Sequence, residues 1–140
     1  LKREKDVDRS QSITTQTGRK LDRVIIGVLA LAVVYLLVDK LVRSGQRVVA
    51  ESGDLVLTAG VSSGAEIMAA GNIHCYGALR GRAMAGYTGD AQARIFCRKL
   101  GAELVSIAGR YRVNENLENR YIGRAVQISL DGDSLRFELM

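Results

Sequence analysis

Proline and tryptophan are absent from this 140-residue chain, aromatic residues make up only 5% of it, and it holds one histidine and two cysteines. With so few aromatics, the core must be built from Val, Ile, Leu, Ala and Met. Cys75 and Cys97 lack the paired spacing of a zinc site, and a single His cannot complete one, so no metal is expected. Both cysteines lie in apolar stretches and read as small buried hydrophobes of a reducing compartment. Catalysis has equally little to work with. His74 has no neighbouring nucleophile or paired acid to act on, and it reads as a surface or interface residue. Glu66, Asp90 and Glu103 are scattered and form no acid/base pair. The glycines are not followed by the Lys-Ser/Thr of a phosphate loop. No catalytic residue and no cofactor are expected, and the chain reads as a binding protein rather than an enzyme.

The net charge is +5, unevenly spread. Residues 1–42 carry +3 and residues 43–140 carry +2. This balance suits acidic partners or anionic lipid and is too mild for nucleic acid.

Three segments follow one another. Residues 1–23 are charged and polar with a Ser/Thr/Gln run, and the expectation is a disordered leader. Residues 24–38 (VIIGVLALAVVYLLV) hold no charge. As a helix they would span about 22 Å, short of the roughly 30 Å hydrocarbon core, with Arg23 and Lys40 placed to snorkel. Residues 24–42 are expected to form one hydrophobic helix, a candidate membrane segment making inner-membrane contact through residues 24–38; the alternative is a buried helix or strand, or a foreign leader. The excess of Lys/Arg before this segment would place residue 43 onward outside the cytoplasm under the positive-inside rule.

From residue 43 to 140 the texture changes to apolar runs of strand length bounded by Gly, Asn, Asp or Ser, with no helix-length pattern between them. Glycine recurs at positions 60, 64, 71, 77, 81, 86, 101 and 109. Tight glycine corners, the lack of Asn-Gly hairpin signals and the small residues Ala65, Ala69, Ala83, Ala85, Ala102 and Ala108 favour a narrow β-helix over a sandwich or barrel. One hairpin signal, Asp131-Gly132-Asp133, lies between AVQISL and SLRFEL and is expected to cover the open end of the coil. In NIHCY, alternation puts Ile73 and Cys75 on one face and Asn72, His74 and Tyr76 on the other. Between Glu66 and Glu103, Asp90 faces five bases: Arg80, Arg82, Arg94, Arg98 and Lys99; Arg110 and Arg112 follow. The plain reading is a solvated face. The functional one is a docking surface for an acidic peptide, where Arg offers bidentate contacts.

The stretches RSGQRV, SGDLVL, VSSGAE, GNIHCYGALRGRAMAG, GDAQARIFCRKL and AELVSIAGRYRV together resemble the C-terminal domain of the MinC family of bacterial division-site inhibitors. The resemblance covers roughly residues 40–140. It implies an all-β fold, a short right-handed triangular β-helix that forms a homodimer through one face. It also implies that Arg43, Ser44, Gly45 and Gln46, the RSGQ motif, bind the membrane ATPase MinD. The second arginine of RGR, Arg82, would belong to the surface that meets the C-terminal tail of the tubulin-like protein FtsZ, in agreement with the basic cluster Arg80, Arg82, Arg94 and Arg98. The function implied is a septation-inhibitor module in the bacterial cytoplasm, peripheral to or anchored at the inner membrane. MinD and FtsZ are cytoplasmic, so the domain's identity outweighs the charge rule for topology. Two departures stand out: Leu41 replaces a frequent Pro, and Ala70 replaces a turn-favouring Asp before GNIH. Residues 1–42 resemble the lone membrane span of bacterial signalling proteins more than anything in the family. An alternative reading is a bactofilin-like membrane-associated polymer, against which the covered coil end argues.

Overall fold

In this computed structural model, which describes residues 35–140, short strands stack rung upon rung. Five strands, β1 (Tyr35–Val38), β3 (Asp54–Leu57), β5 (Ile73–Leu79), β7 (Ile95–Leu100) and β10 (Val126–Asp131), join β11 (Ser134–Leu139) in a six-stranded sheet. The strands β2 (Arg47–Ala50), β4 (Glu66–Ala69), β6 (Arg82–Ala85), β8 (Leu104–Ile107) and β9 (Arg110–Val113) form a five-stranded sheet. The strands β1, β3, β5 and β7, and likewise β2, β4, β6 and β8, pair in parallel, whereas β10 pairs antiparallel with β7. The third side is thin, a line of parallel bridges joining Val42 to Val61 and Val61 to Leu79. The result is a three-sided β-solenoid.

Every second residue points inward, and register puts like above like. Leu36, Leu55, Ile73 and Ile95 form one column of the six-stranded sheet, and Val38, Leu57, Cys75 and Cys97 another. The five-stranded sheet contributes Ile67, Ala83 and Val105 beside Ala50, Ala69, Ala85 and Ile107. Ala65 and Ala102 fill the corners. A narrow coil has room for methyl groups where two sides converge, so five of the six expected small residues are buried.

Ala108 is the sixth, and it does something else. With φ of +50° beside Gly109 at +84°, it forms the two-residue loop between β8 and β9, which pair antiparallel. Positive φ at both loop positions is the type I′ geometry whose twist suits a hairpin. The sequence carries no Asn-Gly here, so this hairpin was not anticipated. The Asp131-Gly132-Asp133 hairpin is present, with Gly132 at φ +62° and β10 antiparallel to β11. Its Leu135 and Phe137 help cover the coil end, together with Leu117 and Tyr121 from a crossing segment that includes the 3-10 turns Asn114–Asn116 and Asn119–Tyr121. The Tyr121 and Phe137 rings stack at 5.5 Å, and the Arg112 guanidinium lies 5.4 Å over Phe137.

One expectation is corrected at its C-terminal end. Residues 24–42 do not continue as a helix to their last residue. Tyr35–Val38 is strand β1, in parallel register with Asp54–Leu57, and Val42 is buried in the third side. The solenoid therefore begins before residue 43. An uncharged run has no period to distinguish strand from helix, and pairing with β3 decides it. The rest of that segment, and the leader of residues 1–23, lie outside the described residues. Among the described residues no helix is long and apolar enough to cross a membrane.

Candidate functional site

Arg43–Gln46 is the corner that carries the chain from the third side into β2. The Gln46 amide donates to the Arg43 carbonyl at 2.9 Å, and Gly45 takes φ +83°. The Gln46 side chain turns back on the same corner, its Oε1 accepting from the Arg43 amide at 2.8 Å. All four residues are exposed. Directly beside this turn is its counterpart in the next rung, Ser62–Ala65. The Gly45 amide donates to the Gly64 carbonyl at 2.9 Å, and Gly64 itself sits at φ +80°. A methyl group at Gly64 would collide with Ser44 Oγ, so the glycine provides the space that Ser44 occupies. Glu103 reaches the same spot, its Oε1 accepting from the Gly64 amide at 2.7 Å. The turn is thus a presented, hydrogen-bonded surface. Gln46 serves it in part as a positioning residue.

The four arginines of the expected basic surface do not form one patch. Arg82 opens β6 and points outward from the five-stranded sheet, in register between Glu66 and Leu104. Arg80 stands exposed at the adjoining corner. Arg94 precedes β7, where its amide donates to Asn72 Oδ1 at 2.7 Å. Arg98 lies on β7 in the six-stranded sheet, its guanidinium 6.0 Å from the Tyr76 ring centre. Bases in neighbouring rungs meet only if they occupy the same side, and these pairs do not. Sequence reasoning also missed Arg47, whose Nε lies 3.3 Å from Glu66 Oε2. The usable signal was positional: Arg47, Glu66 and Arg82 each open a strand of the same sheet, so register aligns them.

The outward face of the six-stranded sheet is apolar at its centre. His74 stacks on Phe96 at 4.8 Å with an interplanar angle of 6°, and its Nε2 is 3.8 Å from Asp54 Oδ2. Leu37 and Tyr76 are exposed nearby, and His74, Tyr76, Phe96, Arg98, Ala125 and Met140 help line a hollow of about 250 Å³. Ile73 and Cys75 face inward, as alternation requires. Cys75 and Cys97 are register partners, free and buried. Burial, and then the adjacent Cys75, push the Cys97 thiol up to about 12, and burial raises Cys75 as well. Such thiols are neutral near pH 7 and chemically quiet. Among the described residues no group of three or more His, Cys, Asp or Glu is placed to hold a metal.

Comparison with known proteins gives a consistent picture. The family profile "Septum formation inhibitor MinC, C-terminal domain" matches residues 36–140. The chain is 54% identical over 109 residues to a septum site-determining protein MinC of Brucella anthropi, covering 78% of this chain and 45% of that protein. It is 59% identical over 95 residues to the corresponding protein of Pseudomonas syringae pv. syringae, covering 67% and 39%. The chain thus spans less than half the length of these relatives. A chain of the MinC:MinD cell division protein complex of Aquifex aeolicus matches with a TM-score of 0.68 at 29% identity, covering 76% of this chain and 86% of that one.

Proposed function

This chain belongs to the septum formation inhibitor MinC family, matching its C-terminal domain, and on that premise we propose that it is a non-enzymatic septation-inhibitor module that binds MinD through Arg43, Ser44, Gly45 and Gln46. The observation that carries this reading is the exposed, rigidly hydrogen-bonded turn at those residues, set in a solenoid similar to a chain of a MinC:MinD complex. A binding epitope gains affinity from being held in shape beforehand, because less conformational freedom is lost on association. Arg43 supplies a charged, forked donor at the edge of the turn.

Two further contacts complete the proposal. The outward face of the six-stranded sheet, with Leu37, Val56, Tyr76 and Phe96 around His74, is the surface for a second copy, since exposed contiguous apolar area marks association sites. Arg82, with Arg80 at the corner, meets the acidic C-terminal tail of FtsZ. Arg98 stands on the other sheet and Arg94 just before the same strand, and both belong with the dimer face rather than with Arg82. The module works in the bacterial cytoplasm, brought to the inner membrane by MinD. The bactofilin-like alternative loses support from the C-terminal end of the coil, where antiparallel strands and buried Leu117 and Tyr121 occupy the place that end-to-end stacking needs.

The test is a pull-down of the chain with MinD loaded with ATP or with ADP. ATP-dependent capture, lost in Arg43→Ala, supports the reading. A folded chain by circular dichroism that captures neither form overturns it.

A further inference from the structure

The outward side of the five-stranded sheet carries two columns of different character. Nearest the Arg43–Gln46 corner run Arg47, Glu66, Arg82, Leu104 and Val113, one from each strand. Beside them run Val49, Met68, Met84, Ser106 and Tyr111, and this second column holds no charge. Strands lie about 4.8 Å apart, so the uncharged strip is roughly 19 Å long. Val49, Met68 and Met84 are half-buried and Tyr111 is 65% exposed.

The charges of the first column are not equivalent. Glu66 is taken by Arg47 at 3.3 Å, and the same guanidinium touches Met68 Sδ at 3.3 Å. Arg82 forms no ion pair among the described residues. A guanidinium without a carboxylate therefore sits two residues from Met84 on the same strand and one strand from Met68, next to Leu104 in register. Methionine side chains adapt to the shape of an apolar ligand and are favoured at peptide-binding surfaces. A carboxylate beside an apolar wall is less screened by salt than one on an open surface.

We infer that this side of the five-stranded sheet is a docking strip for an acidic peptide that also carries apolar side chains, with a carboxylate on Arg82 and the apolar groups on Met68 and Met84. The inference rests on the reading that Arg82 meets the FtsZ tail, and it adds that charge alone is insufficient for recognition. It commits to a peptide rather than a second copy because of Arg82: a free cation in the strip calls for a partner carboxylate, and the only acid in the strip is already paired with Arg47.

The chain has three methionines, and the third, Met140, lies by the hollow on the other sheet. Methyl-labelled methionine therefore reports on both faces in the unmodified protein. On titration with a synthetic FtsZ C-terminal tail peptide, the Met68 and Met84 methyl signals are expected to shift while Met140 stays in place. Shifts confined to Met140, or Met68 and Met84 shifts that follow protein concentration without peptide, overturn the inference. In fluorescence anisotropy with the labelled peptide, Met68→Ser with Met84→Ser is expected to weaken binding about tenfold, the effect of losing about 1.4 kcal/mol, and Met68→Leu with Met84→Leu to restore it. Loss with Arg82→Glu but none with the serine pair overturns the strip and leaves the Arg82 reading intact. No loss with Arg82→Glu overturns both.

Discussion

Substituting Gly64 tests whether the stacking of successive turns shapes the proposed MinD-binding turn. Gly64 is exposed, so Gly64→Ala removes no buried surface and acts through conformation alone. At φ +80° an L-residue is strained by roughly 1–2 kcal/mol. The loss of chain freedom in the unfolded state returns about 0.4–1 kcal/mol. A net destabilisation of about 1 kcal/mol remains, a fall in Tm of a few degrees for a domain of this size. The new methyl group also meets Ser44 Oγ, which must rotate away. Binding to ATP-loaded MinD should therefore fall by more than the loss of stability explains. Gly123→Ala is the matched control: φ there is +74°, and nothing lies within 4 Å of the added methyl group. It should lower Tm by a similar amount and leave MinD binding unchanged. Calorimetry and surface plasmon resonance on both variants make the comparison. Equal MinD binding by the two would refute the idea that Gly64 positions Ser44. A gain in stability for Gly64→Ala would refute the strain argument itself.

Ala108→Asn should stabilise the domain by up to about 1 kcal/mol, because Asn tolerates the positive φ of a type I′ loop better than Ala does; a urea midpoint that fails to rise counts against it. Cys97 gives a pH dependence of known sign. Its folded pKa of about 12 lies above the ordinary 9.0, so the stability it contributes is full below pH 9 and is lost as pH climbs from there toward 12. Cys97→Ala should flatten that alkaline slope in denaturation curves, and an unchanged slope would assign it to other groups. Phe96→Glu places a carboxylate on the six-stranded sheet's outward face, the proposed dimer surface, and is expected to give a monomer in light scattering, where the unmodified chain is expected to be a dimer, without changing the circular dichroism spectrum. A variant that stays dimeric would move the interface elsewhere.

Much of the solenoid was legible along the chain. Inside and outside in NIHCY follow from the two-residue period of a strand, and Ile73 and Cys75 are buried accordingly. The narrow interior was readable from Ala65, Ala69, Ala83, Ala85 and Ala102, and the late hairpin from Asp131-Gly132-Asp133. Ala108 was misplaced because a hairpin loop built on alanine carries no turn signature of its own. Tyr35–Val38 was misread because an uncharged run looks alike as helix or strand. The RSGQ turn was recognisable as a motif, but the sequence could not say that Gln46 closes it.

Local patterning, then, determines which residues are strand, which are corner and which side chains face inward, since each of these depends on near neighbours in the chain. Which residues share a surface is a matter of register between rungs. The connection between β6 and β7, residues 86–94, is longer than that between β4 and β5, residues 70–72, so spacing along the chain does not predict who stands beside whom. That is why Arg82 comes to lie between Glu66 and Leu104, with Met68 on the neighbouring strand, while Arg98 lies on the other sheet. It is also why Ser44 rests against a glycine from the next turn. Only the stacked structure closes those distances.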